Sequence, residues 1–322
     1  MTSVLKIITD IETSDKRKEA ADYINTHPDE FRDILDSVFS ESSDEKIQQR
    51  QHIIDLIDLL SARLAIQVIE RVILSPDSRT KVRGLQAAYR KRIDSFNPQL
   101  VEILADTSEV FEVRKWIVHI LGSTDSESYG KILRKIARDN KEDLNLRKEA
   151  VFALTKVDDD LTLGTLCALL GDPNLEMRES GAWALSNMGA PESINCLLAA
   201  LEDDYEKVRD WAIRGLRDMD DTKALQGLAD IMATVQPSEQ VRMIRLVVER
   251  KSEIILRAIT ELLSSNDVEV LRTAAWAIGI SPYPPAVPAL RDLLDHEDDQ
   301  VRHYGKVALV RSGGIDPTDL QL

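Results

Sequence analysis

Met177-Arg-Glu-Ser-Gly-Ala-Trp-Ala-Leu-Ser-Asn-Met188-Gly189 and Val208-Arg-Asp-Trp-Ala-Ile-Arg-Gly-Leu-Arg-Asp-Met219 are two copies of one pattern. With the arginine counted as position 0, apolar or small residues stand at −1, 3, 6, 7 and 10. At about 100° per residue these fall on one face, which predicts an amphipathic helix. Small residues inside that face let another helix come close.

On either side, an aliphatic residue followed by Arg opens further copies at Val82-Arg83, Val113-Arg114, Leu146-Arg147, Val241-Arg242 and Val301-Arg302. The successive arginines from Arg83 lie 31, 33, 31, 31, 33 and 60 residues apart, and the last gap holds one more unit near Val270-Leu271-Arg272. Weaker copies at Arg50 and Arg17 precede the series at spacings of 33. About ten units cover nearly the whole chain, and a period in this range marks a stacked-repeat architecture. Each unit carries a second apolar segment ahead of the first, as in 161–170, 194–201 and 286–294. Stop and start signals separate the two, among them Gly171-Asp172-Pro173-Asn174, Gly189-Ala190-Pro191-Glu192 and Pro237-Ser238-Glu239. No run of strand-like alternation interrupts them. The expected fold is all-α, a helix pair repeated.

From Asp172-Pro173 to Gly189 the chain resembles the short HEAT-like repeat of the phycobilisome-lyase (PBS-lyase) type, and the resemblance extends over about residues 60–312. It implies a right-handed α-α superhelix, a solenoid whose units complete one another's cores. Residues 1–314 are then one continuous array, with 1–60 as degenerate capping repeats, 61–314 as better-matched repeats and 315–322 as a loose tail. The resemblance also implies that each arginine reaches an acidic residue of a neighbouring turn. Asp77, Asp172 and Asp203, six residues ahead of their arginines, are the candidates. Units one to three and eight depart from the pattern, and unit nine is shifted in register. Gln86 stands where unit three needs a small residue, Arg245 disturbs unit eight, and Trp276 aligns with Trp183 only if Arg272 is displaced by one place.

Lys and Arg number 41 against 56 Asp and Glu, a net charge of −15. That balance opposes a phosphate-neutralising groove or an anionic membrane surface, so neither nucleic acid nor membrane is expected as a partner. No stretch reaches the ~18 apolar residues of a membrane span. Met1-Thr2-Ser3-Val4-Leu5-Lys6 carries no secretory pattern. Cys167 and Cys196 lie in apolar helical contexts and are expected to be buried free thiols in a cytoplasmic, monomeric protein. The five histidines share no metal-ligand spacing, and the one His-Glu pair, His296-Glu297, falls in a turn. No cofactor, metal or catalytic residue is expected. The resemblance leaves a cofactor-handling lyase or chaperone, similar to the phycobilin lyases, as the alternative to a non-catalytic scaffold or adaptor.

Position 5 of the second helix points about 140° away from the centre of the apolar face. It holds His119, Phe152, Trp183, Arg214 and Val307, and Trp276 after realignment. In HEAT-like arrays second helices line the concave surface. These six residues are therefore expected to form a ridge binding a protein or peptide, because aromatic and Arg side chains dominate binding hot spots. Trp116, Trp211 and Tyr304, at position 2, are expected to pack between repeats.

Overall fold

A computed structural model of the chain describes residues 3–9, 11, 13–40, 43–93, 95–123, 126–157 and 159–315. Among these, twenty α-helices and five short 3-10 turns make up the regular structure, with no strand. The chain divides into two compact units, Met1–Asp159 and Asp160–Leu322. Each contains five helix pairs.

In the first unit, α1 (Ser3–Thr9) pairs with α2 (Ser14–Thr26), α3 (Pro28–Ser40) with α4 (Asp44–Leu56), and α5 (Ala62–Ile73) with α6 (Ser78–Lys91). Then α7 (Asn97–Ala105) pairs with α8 (Phe111–Leu121), and α9 (Ser126–Arg138) with α10 (Leu144–Leu154). In the second unit, α11 (Asp160–Leu169) pairs with α12 (Leu175–Met188), α13 (Ile194–Ala200) with α14 (Glu206–Asp218), and α15 (Thr222–Thr234) with α16 (Pro237–Val247). The last two pairs are α17 (Glu253–Glu261) with α18 (Val268–Ile280), and α19 (Val287–Asp292) with α20 (Asp299–Arg311).

The second helices begin where short polar side chains can take up free backbone N–H groups. Asp77, Asp143, Asn174, Asp267 and Asp298 each accept hydrogen bonds from the first turn that follows. From such a start, the third, seventh and eleventh residues face inward. Val113, Ile117 and Leu121 of α8 are buried, as are Leu146, Ala150 and Leu154 of α10 and Val270, Ala274 and Ile278 of α18. Within each unit a second helix packs on its own first helix and on the next second helix, so neighbouring pairs share a core. The last helix ends as the Gly313-Gly314 pair suggests: Gly313 takes φ +78° and Gly314 N donates to Leu309 O at 2.8 Å.

Counting from the helix start corrects the arginine register in two units. Arg147, Arg178, Arg209 and Arg302 stand four residues past the N-cap, whereas Arg83 and Arg242 stand six past Asp77 and Gln236. Lys81 and Gln240 hold the inner place there. The Lys81 ammonium bonds Glu109, and Gln240 donates to Met232 O at 3.1 Å. Gly84, not Gln86, then faces the first helix of unit three. Trp276 and Trp183 both stand nine residues past their caps, so the one-place displacement of Arg272 is real.

The ion pairs also differ from expectation. Arg114 donates to Leu104 O at 3.1 Å and clasps Glu142 at 2.8 and 2.6 Å. Arg178 bonds Asp203 at 2.9 and 3.3 Å, Arg209 bonds Glu239 at 3.0 and 3.3 Å, and Arg272 Nε bonds Asp298 at 3.0 Å. The carboxylate thus comes from the following repeat, 25 to 30 residues later in sequence. The residue six places earlier contributes its backbone: Asp172 O accepts from Arg178 and Asp203 O from Arg209. Asp77 caps α6 through Thr80 instead of meeting Arg83, which reaches back to Asp55 and Gln51.

The two cysteines are not free thiols. Cys167 on α11 and Cys196 on α13 are half-buried and joined in a disulfide, with Cα atoms 5.6 Å apart. The two helices belong to successive pairs, which brings thiols 29 residues apart into bonding range. The free-thiol argument for a reducing compartment therefore falls away. The expected loose tail lies, apart from Ile315, outside the described residues, as does Asp158 of the acidic Asp158-Asp159-Asp160 turn.

Candidate functional site

The exposed line of each second helix passes through the ninth residue after its N-cap. In the second unit the caps are Asn174, Tyr205, Gln236, Asp267 and Asp298, each 31 residues after the last. The ninth residues are therefore Trp183, Arg214, Arg245, Trp276 and Val307, on a strict 31-residue period. In the first unit the same place holds His119 on α8 and Phe152 on α10, and Gln86 on α6.

None of the six residues expected on the ridge is buried. Trp183, Trp276, Val307 and His119 are half-buried, and Arg214 and Phe152 are exposed. In the first unit, His119 Nε2 lies 2.9 Å from Glu149 Oε2, and its ring sits 5.4 Å from that of Trp116. The Lys156 ammonium stands 5.6 Å from the Phe152 ring. In the second unit, the Arg214 guanidinium lies 5.7 Å over the Trp211 ring, a cation on an aromatic shelf.

Around Trp276 the second helices of three successive pairs enclose a hollow of about 270 Å³. Its walls are Arg245 from α16, Glu269, Arg272, Thr273 and Trp276 from α18, and Gln300 and Tyr304 from α20. Asp298 holds Arg272 charged through their hydrogen bond, and that bond in turn holds the Asp298 carboxyl far below the usual carboxylate range. Arg245 meets Glu269 at 3.2 Å, with both side chains more than half exposed. Beside Arg214, burial pushes the Asp210 carboxyl upward. The arrangement offers aromatic faces, guanidinium donors and small polar groups, the chemistry of a recognition surface.

The sequence reading missed Arg245, because a count begun at Arg242 makes it an intruder in the core face. The signal that finds it is arithmetic: Arg214 plus 31 is Arg245, and Arg245 plus 31 is Trp276. Tyr304 and Trp211, expected to pack between repeats, are half-exposed and line open hollows on this face. His296 stays in its turn, where Nδ1 accepts from Asp298 N at 3.0 Å. Among the described residues no three His, Cys, Asp or Glu side chains gather as a metal site, and no helix is long and apolar enough to cross a membrane.

Helix pairs that stack and share cores, repeated at a near-constant period, define a helical-repeat fold. The HEAT-repeat family matches at residues 139–217, 166–244 and 225–309, overlapping segments that together span more than half of the chain. The chain belongs to the HEAT-repeat family.

Protein YibA of Escherichia coli (strain K12) is 33% identical over 88 residues, 27% of this chain and 31% of that protein. The match therefore spans about a third of this curated relative. Among solved structures, the yeast importin-β Kap95p bound to RanGDP is similar at a TM-score of 0.57 and 12% identity, over 99% of this chain and 52% of that one. Kap121p bound to RanGTP gives a TM-score of 0.56 at 13% identity, over 97% of this chain and 41% of that one. At such identity the likeness is one of fold.

Proposed function

We propose that the protein is a non-catalytic scaffold or adaptor that binds a polypeptide on the face formed by its second helices, the face that the HEAT resemblance makes concave. One observation carries this reading. Trp183, Arg214, Arg245, Trp276 and Val307 recur every 31 residues at a position the fold leaves partly or fully open to solvent. Indole rings held half-buried by packed helices lose little freedom when a partner arrives, and Trp and Arg are the side chains enriched in binding hot spots. The likeness in fold to Kap95p and Kap121p, whose structures include Ran, is compatible with such use. The finer assignment to the phycobilisome-lyase type of repeat rests on the motif from Asp172-Pro173 to Gly189.

The test compares polypeptides retained from native lysate by the wild-type chain and by the Trp183→Ala/Trp276→Ala variant. Circular dichroism confirms that both are folded. The expected result is selective loss of specific polypeptides with the helical content kept. Identical capture by the two proteins, or unfolding without selective loss, removes the ridge from the binding surface.

A further inference from the structure

Within the second unit, α12, α14, α16, α18 and α20 pack each against the next. Packed helices sit about 8–10 Å apart. A Cβ built on Gly215 would stand 3.0 Å from Ser186 Cα, which shows how closely α14 approaches α12. The side chains at the ninth position therefore form a ladder with a rung about every 9 Å, in the order Trp183, Arg214, Arg245, Trp276.

That spacing selects a backbone conformation. A polyproline II segment rises about 3.1 Å per residue with three residues per turn, so every third side chain points the same way and recurs about every 9 Å. A β-strand alternates faces with a period of two, so residues three apart point oppositely. An α-helix needs about six residues to cover 9 Å, and six residues turn it well away from its starting face. Only the first matches each rung with an equivalent side chain.

The chemistry of the rungs selects the residues. Arg214 rests on the Trp211 ring with the Asp210 carboxyl nearby, and among the described residues it makes no close ion pair. Arg245 shares an exposed pair with Glu269, of the kind worth little in water and readily exchanged for a better-placed carboxylate. Trp183 and Trp276 flank the two cations with half-exposed indoles. We infer that the ladder binds an extended polypeptide in the polyproline II conformation, with carboxylates three residues apart for Arg214 and Arg245. Apolar side chains three residues further out on either side rest on Trp183 and Trp276. The net charge of −15 repels such a segment at long range, so binding depends on the local cations of the ladder.

This inference rests on the ridge being the polypeptide-binding face, and the experiment separates the two. The probe is a fluorescein-labelled decapeptide, Leu-Pro-Ser-Glu-Pro-Ser-Glu-Pro-Ser-Leu, titrated with the full chain and followed by anisotropy. It is compared with a version carrying Gln for both Glu, one carrying Lys for both, and an isomer with the glutamates adjacent, Leu-Pro-Ser-Pro-Glu-Glu-Ser-Pro-Ser-Leu. The parent peptide is expected to bind at least about tenfold more tightly than each of the three. Arg214→Glu/Arg245→Glu, two exposed sites, is expected to reverse the preference toward the Lys peptide, and Trp183→Ala/Trp276→Ala to weaken both. Circular dichroism establishes that the variants fold. Equal binding of the Glu and Gln peptides overturns the carboxylate assignment; if the tryptophan variant still loses binding, the ridge reading survives. Equal binding of the adjacent-Glu isomer overturns the three-residue spacing. Absence of binding by every peptide at millimolar concentration overturns the inference, while the lysate comparison still judges the ridge.

Discussion

Gly84 shows how one residue can settle a register. A Cβ at this position would stand 1.9 Å from Val72 Cγ1, and Val72 is fully buried on the partner helix α5. Valine has one favoured rotamer in a helix and cannot swing aside. Gly84→Ala is therefore expected to destabilise the fold by about 1–3 kcal/mol through overpacking, outweighing the ~1 kcal/mol that alanine contributes to helix propensity. Urea unfolding measures it, and a Val72→Ala change in the same chain should couple favourably by opening the space. A neutral or stabilising Gly84→Ala would contradict the contact. The same residue explains a misreading: Val82-Arg83 imitates the motif two places out of register, so Gln86 looks like a defect. Local residue identity could not distinguish Arg83 from Lys81. The distance to the capping Asp77 does.

At the scale of helices, the second helices were legible because their caps, inward faces and arginines repeat. From Asn174 onward the period is strict, and Trp276 could be aligned with Trp183 across three repeats. The first helices were less so. They range from the six residues of α19 to the thirteen of α3, α9 and α15, and no motif marks their register. The arginine ladder was half legible: the cations could be named, but carboxylates 25 to 30 residues onward depend on how successive turns stack. The disulfide was invisible for the same reason. It pins α11 to α13 across a separation of 29 residues, for which loop-closure entropy gives a stabilisation of about 3.5 kcal/mol. Cys167→Ser/Cys196→Ser is expected to lower the melting temperature relative to the oxidised chain and to match the reduced wild type. Two thiols reactive toward a maleimide in the folded, unreduced protein would show that the bond is absent.

Across the whole chain, 56 carboxylates face 41 cations, and the fold uses some of the excess in pairs that bind one repeat to the next. Glu142 is held below its ordinary value of 4.5 by the hydrogen bonds from Arg114, and Asp298 below 3.8 by those from Arg272. A carboxyl whose folded value is depressed contributes stability that is complete above the unfolded value and is lost as pH falls toward the folded one. The urea midpoint is therefore expected to stay level from pH 8 to about 5 and to fall steadily below about 4.5. The pairs respond differently to salt. Arg114 and Glu142 are 7% and 10% exposed and should resist screening, whereas the open Arg245–Glu269 pair should not. Glu142→Gln is expected to cost about 1–3 kcal/mol at pH 7, since it leaves a buried guanidinium with a weaker partner, and to flatten the acid limb. Asp298→Asn should flatten it too. Unfolding curves at six pH values from 8 to 3 check both. Variants whose stability falls in parallel with the wild type down to pH 3 would mean that these carboxylates do not carry the acid sensitivity. The remaining source would then be general repulsion among the positive charges left when the carboxylates protonate, which 0.5 M salt would suppress and the buried pair would not feel.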